Sequence, residues 1–583
     1  MCSPYRIVAV CSLASALVTV TSAPLLAQPE RERMQERREA PARTGDRPPA
    51  GGGERGGPGD RGARDSDKVT GKDKAPDFVV YPEEPAITYH TATIGGESVH
   101  YEAKAGTITL TDRKYEPTAK IFFISYRRLN GPGEVFKQRL EAFKKEHEND
   151  PDAEPPTNYP DAATRPLTFS FNGGPGSSSV WLHLGIFGPK RVNYADALGN
   201  PGPPPYAVVP NEASVLDKSD FCFIDPVSTG FSRAEDPDKA KDFHGVEPDL
   251  ASVAEFIRRF ISREERWRSP KFIAGESYGT TRAAGLVQEL NNQHGIAVNG
   301  VILVSAVLYF QTLSFAVGND LPYVLFLPTY TATAHHHGRL PARLQQRPLP
   351  DAVREAEVFA QGDYAAALMA GDTLTPERAG QIAQRLAEYT GLSRQFIERA
   401  NLRVDMGRFA KELLRDQRKT VGRFDSRFTG IDRDSAGERY EYDASYSVIR
   451  SNYTHSFNAY VREELEFESD LPYEILTNVR PWSYEPSGVN QYLNTAERLR
   501  STMHQHPFMR VFLACGYHDL ATPHFAAIHT VNHMQLAPEV RGNVTVKEYI
   551  GGHMMYLDAA SRAAMRRDLV EFYSAVPVGG AAR

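Results

Sequence analysis

The sequence predicts an α/β fold built on a doubly wound, mostly parallel sheet. Residues 221–224 and 300–304 are continuous apolar runs, which are typical of strands buried on both faces of a sheet. Amphipathic stretches such as 250–261 lie between such runs and indicate helices that pack on the sheet. Because strand and helix signals alternate along the chain, we expect neighbouring strands to run parallel, with helices covering both faces.

The N-terminal segment differs in composition from the rest of the 583-residue chain. Arg6 precedes an apolar run over 7–20, and small residues follow as far as Ala27, which predicts a secretory signal peptide at 1–27. An uncleaved membrane anchor is the weaker alternative, because the run is shorter than the roughly 20 apolar residues that a span needs. Residues 28–78 are rich in Arg, Gly and Pro, which predicts a disordered linker. We therefore expect a secreted or periplasmic protein with no stable membrane insertion after the signal is cleaved.

The first part of the predicted core covers residues 79–309. It begins with two alternating segments, 90–94 and 98–101, and the glycines within 95–97 indicate that these segments form a hairpin. Further strand and helix signals alternate from there to the end of this part. This region should therefore supply the first strands of the sheet.

After residue 309 the pattern changes to helices. Helical periodicity predicts helices over 351–370, 375–389 and 393–416, and strand signals return only near residue 510. We therefore expect a helical insertion at 310–482 between strands of one sheet. Residues 483–583 should then complete the core.

The pentad G-E-S-Y-G at 275–279 is the strongest catalytic signal in the chain. It lies between a strand-like segment, 271–274, and a helix-like segment, 280–290, as a nucleophile elbow requires. In such an elbow Ser277 is lifted clear of the sheet, and the first helical N–H groups point at the charge that develops during acyl transfer. The alternative is a chance match in a chain with 45 glycines.

A nucleophilic serine needs a base that is oriented by an acid, and the C-terminal third contains candidates for both. Asp519 follows the apolar run 511–516, at the strand edge where catalytic groups gather. His553 follows a strand-like segment, 544–550, and two glycines, so we predict that it is the base. Four other histidines are rivals, expected in the helix after Pro523 or on its surface: His518, His524, His529 and His533.

A glycine-rich loop at 171–179 follows a further strand-like segment, 166–170. Such a loop can present backbone N–H groups and form the second half of an oxyanion hole. A flexible turn or a phosphate-binding loop is the alternative. The phosphate-binding alternative is weakened because no Lys-Ser or Lys-Thr pair follows the glycines.

Taken together, four motifs resemble the serine carboxypeptidase family, whose fold is the α/β-hydrolase fold. The motifs are N-G-G-P-G at 172–176, G-E-S-Y at 275–278, G-x-x-D-x-x-x-P at 516–523 and G-H-M at 552–554. They occur in the family's order, and the resemblance extends from about residue 81 to the C-terminus. It implies that the helical insertion is a cap over the active site.

The resemblance also implies a role for each matching residue. The implied catalytic triad is Ser277, Asp519 and His553, and the implied oxyanion hole is formed by the amides of Gly174 and Tyr278. The residues implied in substrate binding are Asn172, Gly173, Glu276 and Met554, of which Asn172 and Glu276 would hold the free C-terminal carboxylate and Met554 would line the leaving-group side. A protonated Glu276 can donate a hydrogen bond to that anion, whereas an ionised one would repel it.

Two departures from the family pattern affect the site. The family usually carries an acid where this chain has Ile186, so part of the usual carboxylate-binding network is missing. The cysteine that usually follows the N-G-G-P-G motif is Ser177, so the family's common disulfide cannot form there. We expect Cys222 and Cys515 to be buried, unpaired residues.

The sequence therefore predicts a serine carboxypeptidase that releases C-terminal residues from peptides through an acyl-enzyme. An esterase or acyltransferase on the same scaffold is the alternative that Ile186 favours, and a catalytically silent binding protein is a third. No cofactor or metal is expected, because serine chemistry needs none and the run His335-His336-His337 has no other ligand at suitable spacing. The net charge of −6 and the mixed charges of the linker argue against nucleic-acid binding, so the expected partners are peptides with a free C-terminus. No feature of the sequence specifies an oligomeric state.

Overall fold

The computed structural model describes residues 80–148, 150, 153–485 and 491–577. The predicted signal peptide and linker lie outside the described residues. Within these ranges no helix has both the length and the apolar character that crossing a membrane requires.

Fourteen named strands occur in the described ranges. They are β1 (Ala86–Ile94), β2 (Glu97–Thr111), β3 (Pro117–Arg128), β4 (Leu167–Phe171), β5 (Lys190–Val192), β6 (Val208–Pro210), β7 (Asp220–Ile224), β8 (Arg233–Ala234), β9 (Lys271–Glu276), β10 (Gly300–Val304), β11 (Thr420–Val421), β12 (Thr429–Gly430), β13 (Arg510–Gly516) and β14 (Val544–Tyr549).

The α-helices of these ranges alternate with strands in the first part of the chain and follow one another from α5 to α11. They are α1 (Gly133–Glu146), α2 (Val180–Leu182), α3 (Val246–Arg263), α4 (Tyr278–His294), α5 (Leu321–His336), α6 (Ala342–Gln345), α7 (Leu349–Phe359), α8 (Ala365–Ala370), α9 (Pro376–Thr390), α10 (Arg394–Arg399), α11 (Met406–Glu412), α12 (Ala444–Glu463), α13 (Ala496–Gln505), α14 (His524–Asn532), α15 (Pro538–Arg541) and α16 (Ala559–Ala575). Short π-helices at His183–Phe187 and Ala360–Tyr364, and short 3-10 helices such as Met555–Leu557, complete the pattern.

One ten-stranded sheet organises the molecule, in the order β1-β2-β3-β7-β4-β9-β10-β13-β14, with β8 paired to β3. Six neighbouring strands of this sheet run parallel, namely β7, β4, β9, β10, β13 and β14, whereas β1, β2, β3 and β8 form antiparallel pairs. The first two strands form the predicted hairpin, and both turn residues, Gly95 and Gly96, have positive φ. The prediction of a doubly wound, mostly parallel sheet is confirmed.

Alternate side chains of the central strands pack into two separate cores, one on each face of the sheet. In β7, Phe221 and Phe223 join the first core, while Cys222 and Ile224 join the second. Every residue of this strand is buried, which is why its sequence is a continuous apolar run rather than an alternating one. Cys222 and Cys515 are buried and unpaired, as predicted.

The segment 310–482, called the insertion below, follows β10 and contains helices α5 to α12. Many of these helices share a third core, which also includes Phe525 of α14. The predicted single helix over 393–416 is wrong, because α10 ends at Arg399 and α11 begins only at Met406. Asn401 and Leu402 have positive φ, which stops a right-handed helix, and the Asp405 side chain caps the next one.

Candidate active site

Ser277 lies in a sharp turn between β9 and α4, with φ 59° and ψ −130°. A positive φ is costly for a residue other than glycine, so the surrounding structure must hold it in place. The flanking glycines allow this turn, because a Cβ at Gly275 would lie 2.1 Å from the carbonyl oxygen of Gly279. The Ser277 N–H donates to the Val304 carbonyl at the end of β10 (3.0 Å). The geometry is that of a nucleophile elbow.

Asp519 and His553 form a buried acid–base pair. The Nδ1 atom of His553 lies 2.8 Å from Oδ2 of Asp519. The other carboxylate oxygen, Oδ1, accepts from the N–H groups of Ala521 (2.8 Å) and Thr522 (3.0 Å), and the Thr522 hydroxyl donates to Oδ2 (2.8 Å). These donors fix the carboxylate, which in turn orients the imidazole so that Nε2 is the nitrogen free to act as a base.

The insertion and the sheet hold the His553 backbone from two sides. The His553 N–H donates to the Phe424 carbonyl (2.5 Å), and the Phe424 ring stacks on the imidazole with centroids 4.9 Å apart. The Ser305 hydroxyl donates to the His553 carbonyl (2.6 Å). Burial lowers the pKa of His553, but the charges of Asp519 and Glu276 outweigh burial and leave the pKa above its ordinary value.

The glycine-rich loop after β4 packs directly against the start of α4. A Cβ at Gly173 would lie 2.4 Å from the Tyr278 nitrogen, so only glycine permits this approach. Arg282 ties the loop to α4, because Nη1 donates to the Asn172 carbonyl (2.6 Å) while Nε pairs with buried Asp249 (2.7 Å). Within the described part of the chain, the backbone N–H groups of Gly174 and Tyr278 donate to no other group. Both are therefore available to a ligand.

Glu276, the residue before the nucleophile, is buried among polar partners. Its Oε1 accepts from Asn172 Nδ2 (2.9 Å) and its Oε2 accepts from the Tyr556 hydroxyl (2.6 Å). Burial raises the pKa of Glu276 to about 7, although the charge of His553 and the hydrogen bonds from Tyr556 and Asn172 act in the opposite direction. Near neutral pH this carboxyl can therefore exist in either protonation state.

These groups meet in one cavity with polar and apolar walls. Its lining residues are Asn172, Gly173, Gly174, Ser177, Trp181, Glu276, Ser277, Phe424, Tyr446, Ile449, Leu476, His553 and Met554. No Lys or Arg is among them, as far as the described residues extend. The cavity therefore offers hydrogen-bond donors and acceptors at one side and aromatic and aliphatic surface at the other.

The structure brings every predicted site residue together. Seven of them line the cavity, Asp519 lies behind His553, and Tyr278 begins the helix next to Ser277. None of the four rival histidines lines this cavity. His524 and His529 lie in α14 and His533 directly follows it, as expected, but the expectation is wrong for His518, which precedes Pro523 and is buried with its ring centroid 5.6 Å from that of His336. The roles of the predicted residues remain predictions.

Sequence reasoning missed Tyr556 and the lining residues from the insertion. Tyr556 follows His553 by three residues, so an extended motif could have included it, but nothing in the sequence pairs it with Glu276. A Cβ at Gly185 would lie 2.2 Å from the Tyr556 ring, which explains the glycine there. Ile186, in the position of the family's usual acid, is fully buried in the core. The Tyr556 hydroxyl therefore provides a polar partner for Glu276 in a chain that has no acid at position 186.

Comparison with known proteins agrees with this geometry. The family model described as serine carboxypeptidase matches residues 157–544, which is more than half of the chain. Pheromone-processing carboxypeptidase KEX1 of Saccharomyces cerevisiae is 36% identical over 121 residues, which is 20% of this chain and 15% of that protein. Serine carboxypeptidase-like 36 of Arabidopsis thaliana is 31% identical over 148 residues, or 24% of this chain and 28% of that protein.

The chain thus spans less than a third of the length of these curated relatives. Among solved structures, VinJ shares 11% identity and a TM-score of 0.31, with 81% of this chain and 99% of that chain covered. A proline iminopeptidase from Mycobacterium smegmatis shares 12% identity and a TM-score of 0.30, with 81% and 100% covered. On the strength of the family match across residues 157–544, the chain belongs to the serine carboxypeptidase family.

Proposed function

We propose that this protein is a serine-type carboxypeptidase that releases C-terminal residues from peptides through an acyl-enzyme on Ser277. The observation that carries the proposal is the cluster of Asn172, Glu276 and Tyr556 beside the nucleophile. Burial of a carboxyl whose pKa is about 7 lowers the stability of the fold. Such a group is typical of a functional site, and here it can bind the carboxylate of a substrate. The free C-terminus of a peptide is such a group.

Recognition of that C-terminus depends on two donors. One hydrogen of the Asn172 amide is directed at Glu276, and the second can donate to the substrate carboxylate. A protonated Glu276 supplies the other donor, since two ionised carboxylates at hydrogen-bond distance would repel each other. In the proposed complex the scissile bond, one residue further in, lies next to Ser277.

The acylation step follows from the pair of His553 and Asp519. The Ser277 Oγ attacks the scissile carbonyl carbon while Nε2 of His553 accepts the hydroxyl proton. Asp519 stabilises the imidazolium through its 2.8 Å contact with Nδ1. The N–H groups of Gly174 and Tyr278 donate to the tetrahedral oxyanion. The imidazolium then protonates the leaving amine, the C–N bond breaks, and the C-terminal residue is released past Met554.

Deacylation uses the same groups in the opposite order. Neutral His553 takes a proton from water, and the resulting hydroxide attacks the ester carbon of the acyl-enzyme. The second tetrahedral intermediate collapses, the imidazolium returns its proton to Ser277 Oγ, and the shortened peptide leaves. The apolar lining from the insertion, including Tyr446 and Ile449, contacts the acyl side chain in this scheme.

Mass spectrometry of a peptide library tests the proposal directly. Matched peptides are supplied with a free C-terminal carboxylate or a C-terminal amide, and Ser277→Ala is the control. We expect successive loss of single C-terminal residues from the free acids, slower cleavage of the amides and no cleavage by the control. Cleavage within the peptides, or equal rates for acids and amides, would contradict recognition of a free C-terminus.

An esterase or acyltransferase is the second candidate, and one observation favours it. The described cavity is lined by no Lys or Arg, so its binding of an anion depends on neutral donors alone. Hydrolysis of aryl esters with no release of amino acids from any peptide would establish this second function.

We also propose that the protein acts outside the cytoplasm. Support comes from the composition of residues 1–27, which is typical of a secretory signal peptide. Fractionation of the source cells, with N-terminal sequencing of the mature chain, tests this proposal. A mature chain that begins before residue 20 would contradict it.

A further inference from the structure

A second cluster of polar groups lies outside the active-site cavity. It consists of Glu357 on α7 of the insertion, His524 at the start of α14 and Glu548 on β14. One ligand atom from each residue lies within 4.8 Å of the others. None of the three residues lines the cavity that contains Ser277. The cluster therefore needs an explanation separate from the proposed peptidase chemistry.

The ring of His524 is the centre of this cluster. Its side chain is fully buried, and neither ring nitrogen has a hydrogen-bond partner among the described residues. Glu357 Oε1 lies 3.8 Å from Nε2, and Glu548 Oε1, which also has no hydrogen-bond partner in that part of the chain, lies 3.8 Å from Nδ1. Buried imidazoles are normally hydrogen-bonded or metal-bound, so this arrangement points to a ligand.

The charges around His524 favour a cation. An unprotonated imidazole nitrogen carries a lone pair that can bind a metal ion, and each nitrogen of the buried His524 ring lies 3.8 Å from a carboxylate oxygen. The Glu357 and Glu548 side chains are only 3% and 20% exposed, so two carboxylates share a poorly solvated site. Arg354 pairs with the other oxygen of Glu357, and its side chain is 69% exposed, so solvent screens its charge. A divalent cation would compensate both carboxylates at once.

We propose that Glu357, His524 and Glu548 bind one Zn²⁺ ion, with water completing the coordination. One imidazole nitrogen and carboxylate oxygens suit Zn²⁺, whereas Mg²⁺ and Ca²⁺ prefer oxygen alone. A tetrahedral site with bonds of about 2.1 Å separates its ligand atoms by about 3.4 Å. One ligand atom from each residue lies within 4.8 Å of the others, so the three side chains close around one ion after shifts of about 1 to 1.5 Å. The Glu548 side chain is 20% exposed, which gives the ion a route from solvent.

This ion connects three parts of the molecule. Glu357 belongs to the insertion, His524 follows Asp519 by five residues, and Glu548 precedes His553 by five residues. The Zn²⁺ ion thus ties the insertion to the two loops that carry the acid and the base. Its role is structural, since the ion lies outside the cavity and serine chemistry requires no metal.

The run His335-His336-His337 is the competing place for a metal ion. His335 Nε2 is hydrogen-bonded to the Arg347 carbonyl (3.0 Å) and His337 Nε2 to the Ser426 carbonyl (2.7 Å). These two nitrogens are therefore already occupied, while His336 is exposed. His336→Gln is thus the variant that identifies adventitious binding there.

Metal content and thermal stability of the full chain, prepared without a metal-affinity tag, test the proposal. After loading with a small excess of Zn²⁺ and dialysis, elemental analysis should give about one zinc per chain. EDTA should lower the melting temperature of the wild type by several degrees. His524→Gln and Glu548→Gln should each reduce bound zinc at least tenfold and remove the effect of EDTA. His529→Gln, in the same helix, and His336→Gln should retain both properties.

Three outcomes would overturn the site. One is less than a tenth of a zinc ion per loaded wild-type chain, and another is loss of zinc in His336→Gln but not in Glu548→Gln. The third is an X-ray absorption spectrum that fits sulfur, or several imidazoles, instead of one imidazole and oxygens. If His524→Gln fails to fold, Glu548→Gln decides, because this side chain is partly exposed. None of these measurements depends on peptide hydrolysis.

Discussion

The two sides of the active site are built in different ways. On the sheet side, Ser277 and Asn172 follow buried parallel strands, and short stretches of chain fix their geometry. On the insertion side, Phe424 and Asp425 contact the loop of His553 from more than a hundred residues away in sequence. Phe424 accepts the His553 N–H, and Asp425 Oδ2 accepts the Gly552 N–H (3.1 Å). The proposed nucleophile, Ser277, is thus positioned locally, while the proposed base, His553, depends on tertiary contacts.

A substitution on the sheet side should cause the largest loss of turnover. Ser277→Ala removes the nucleophile from a turn whose backbone is held by β9, β10 and α4, so we expect turnover to fall by a factor on the order of 10⁴ to 10⁶. The melting temperature should change by no more than about 1 °C, because Ser277 is half-buried and its side chain lines a cavity instead of filling the core. A fluorophosphonate probe should label wild-type Ser277 and not the variant. Labelling of another residue would show that the elbow is misassigned.

The acid and the base should behave as one unit across the two sides. We expect Asp519→Ala and His553→Ala each to lower kcat by a factor on the order of 10⁴, and the double variant to be scarcely slower than either. His518→Gln is the control, since this buried histidine lies against His336 and not against Ser277. Additive losses in the double variant, or a loss in the control as large as that of His553→Ala, would contradict the pair.

The local construction of the sheet side explains what could be predicted from the sequence. Each of three local features is specified by a few neighbouring residues of fixed type: the elbow around Ser277, the glycine loop around Gly173 and the strand before His553. Tyr556 and Phe424 could not be predicted, because their roles arise from contacts with Glu276 and His553 that only the folded chain brings together. The helices of the insertion were predicted only in part: three were predicted, whereas the structure has eight, α5 to α12. The prediction over 375–389 agrees with α9 to within a residue, but positive φ at Asn401 interrupts the predicted helix over 393–416.

A substitution in a buried ion-pair network should show how strongly the position of His553 depends on the insertion. Arg427 pairs with Asp425 (2.7 Å) and Asp558 (3.1 Å), and all three are largely buried. Asp425→Asn should lower stability by about 3 kcal/mol, because Arg427 loses its closest buried charge partner. It should also lower kcat about tenfold, with KM changed less than twofold, because the loop that carries His553 loosens.

The matched control for this prediction is Asp432→Asn. Asp432 is paired with Lys411 in an equally buried ion pair of the insertion (2.5 Å), and neither residue lines the active-site cavity. This variant should lose a similar amount of stability in urea unfolding while its kcat stays within twofold of the wild type. Equal kcat losses in both variants would mean that the insertion affects catalysis only through general stability.

The smallest expected effects concern pH, and they arise where the two sides meet at Glu276. His553 must be neutral to accept the serine proton, and its pKa is raised, so kcat should fall as the pH drops through a value above that of an ordinary histidine. Glu276 must be protonated to bind a substrate carboxylate, and its pKa is about 7. KM for free-acid peptides should therefore rise several-fold as the pH increases above 7, while KM for amides stays flat.

Two variants distinguish the contributions of Glu276 and Tyr556, because they change the rise of KM at alkaline pH in different ways. Glu276→Gln donates at every pH, so the KM profile for free acids should become flat, with amide substrates nearly unchanged. Tyr556→Phe removes a hydrogen bond that stabilises ionised Glu276, so the pKa of Glu276 should increase and the rise in KM should move to higher pH. Matched acid and amide peptides, measured between pH 5 and 9 on all three proteins, give both results. If the acid and the amide have the same profile in the wild type, Glu276 does not recognise the substrate carboxylate, and the esterase becomes the better assignment.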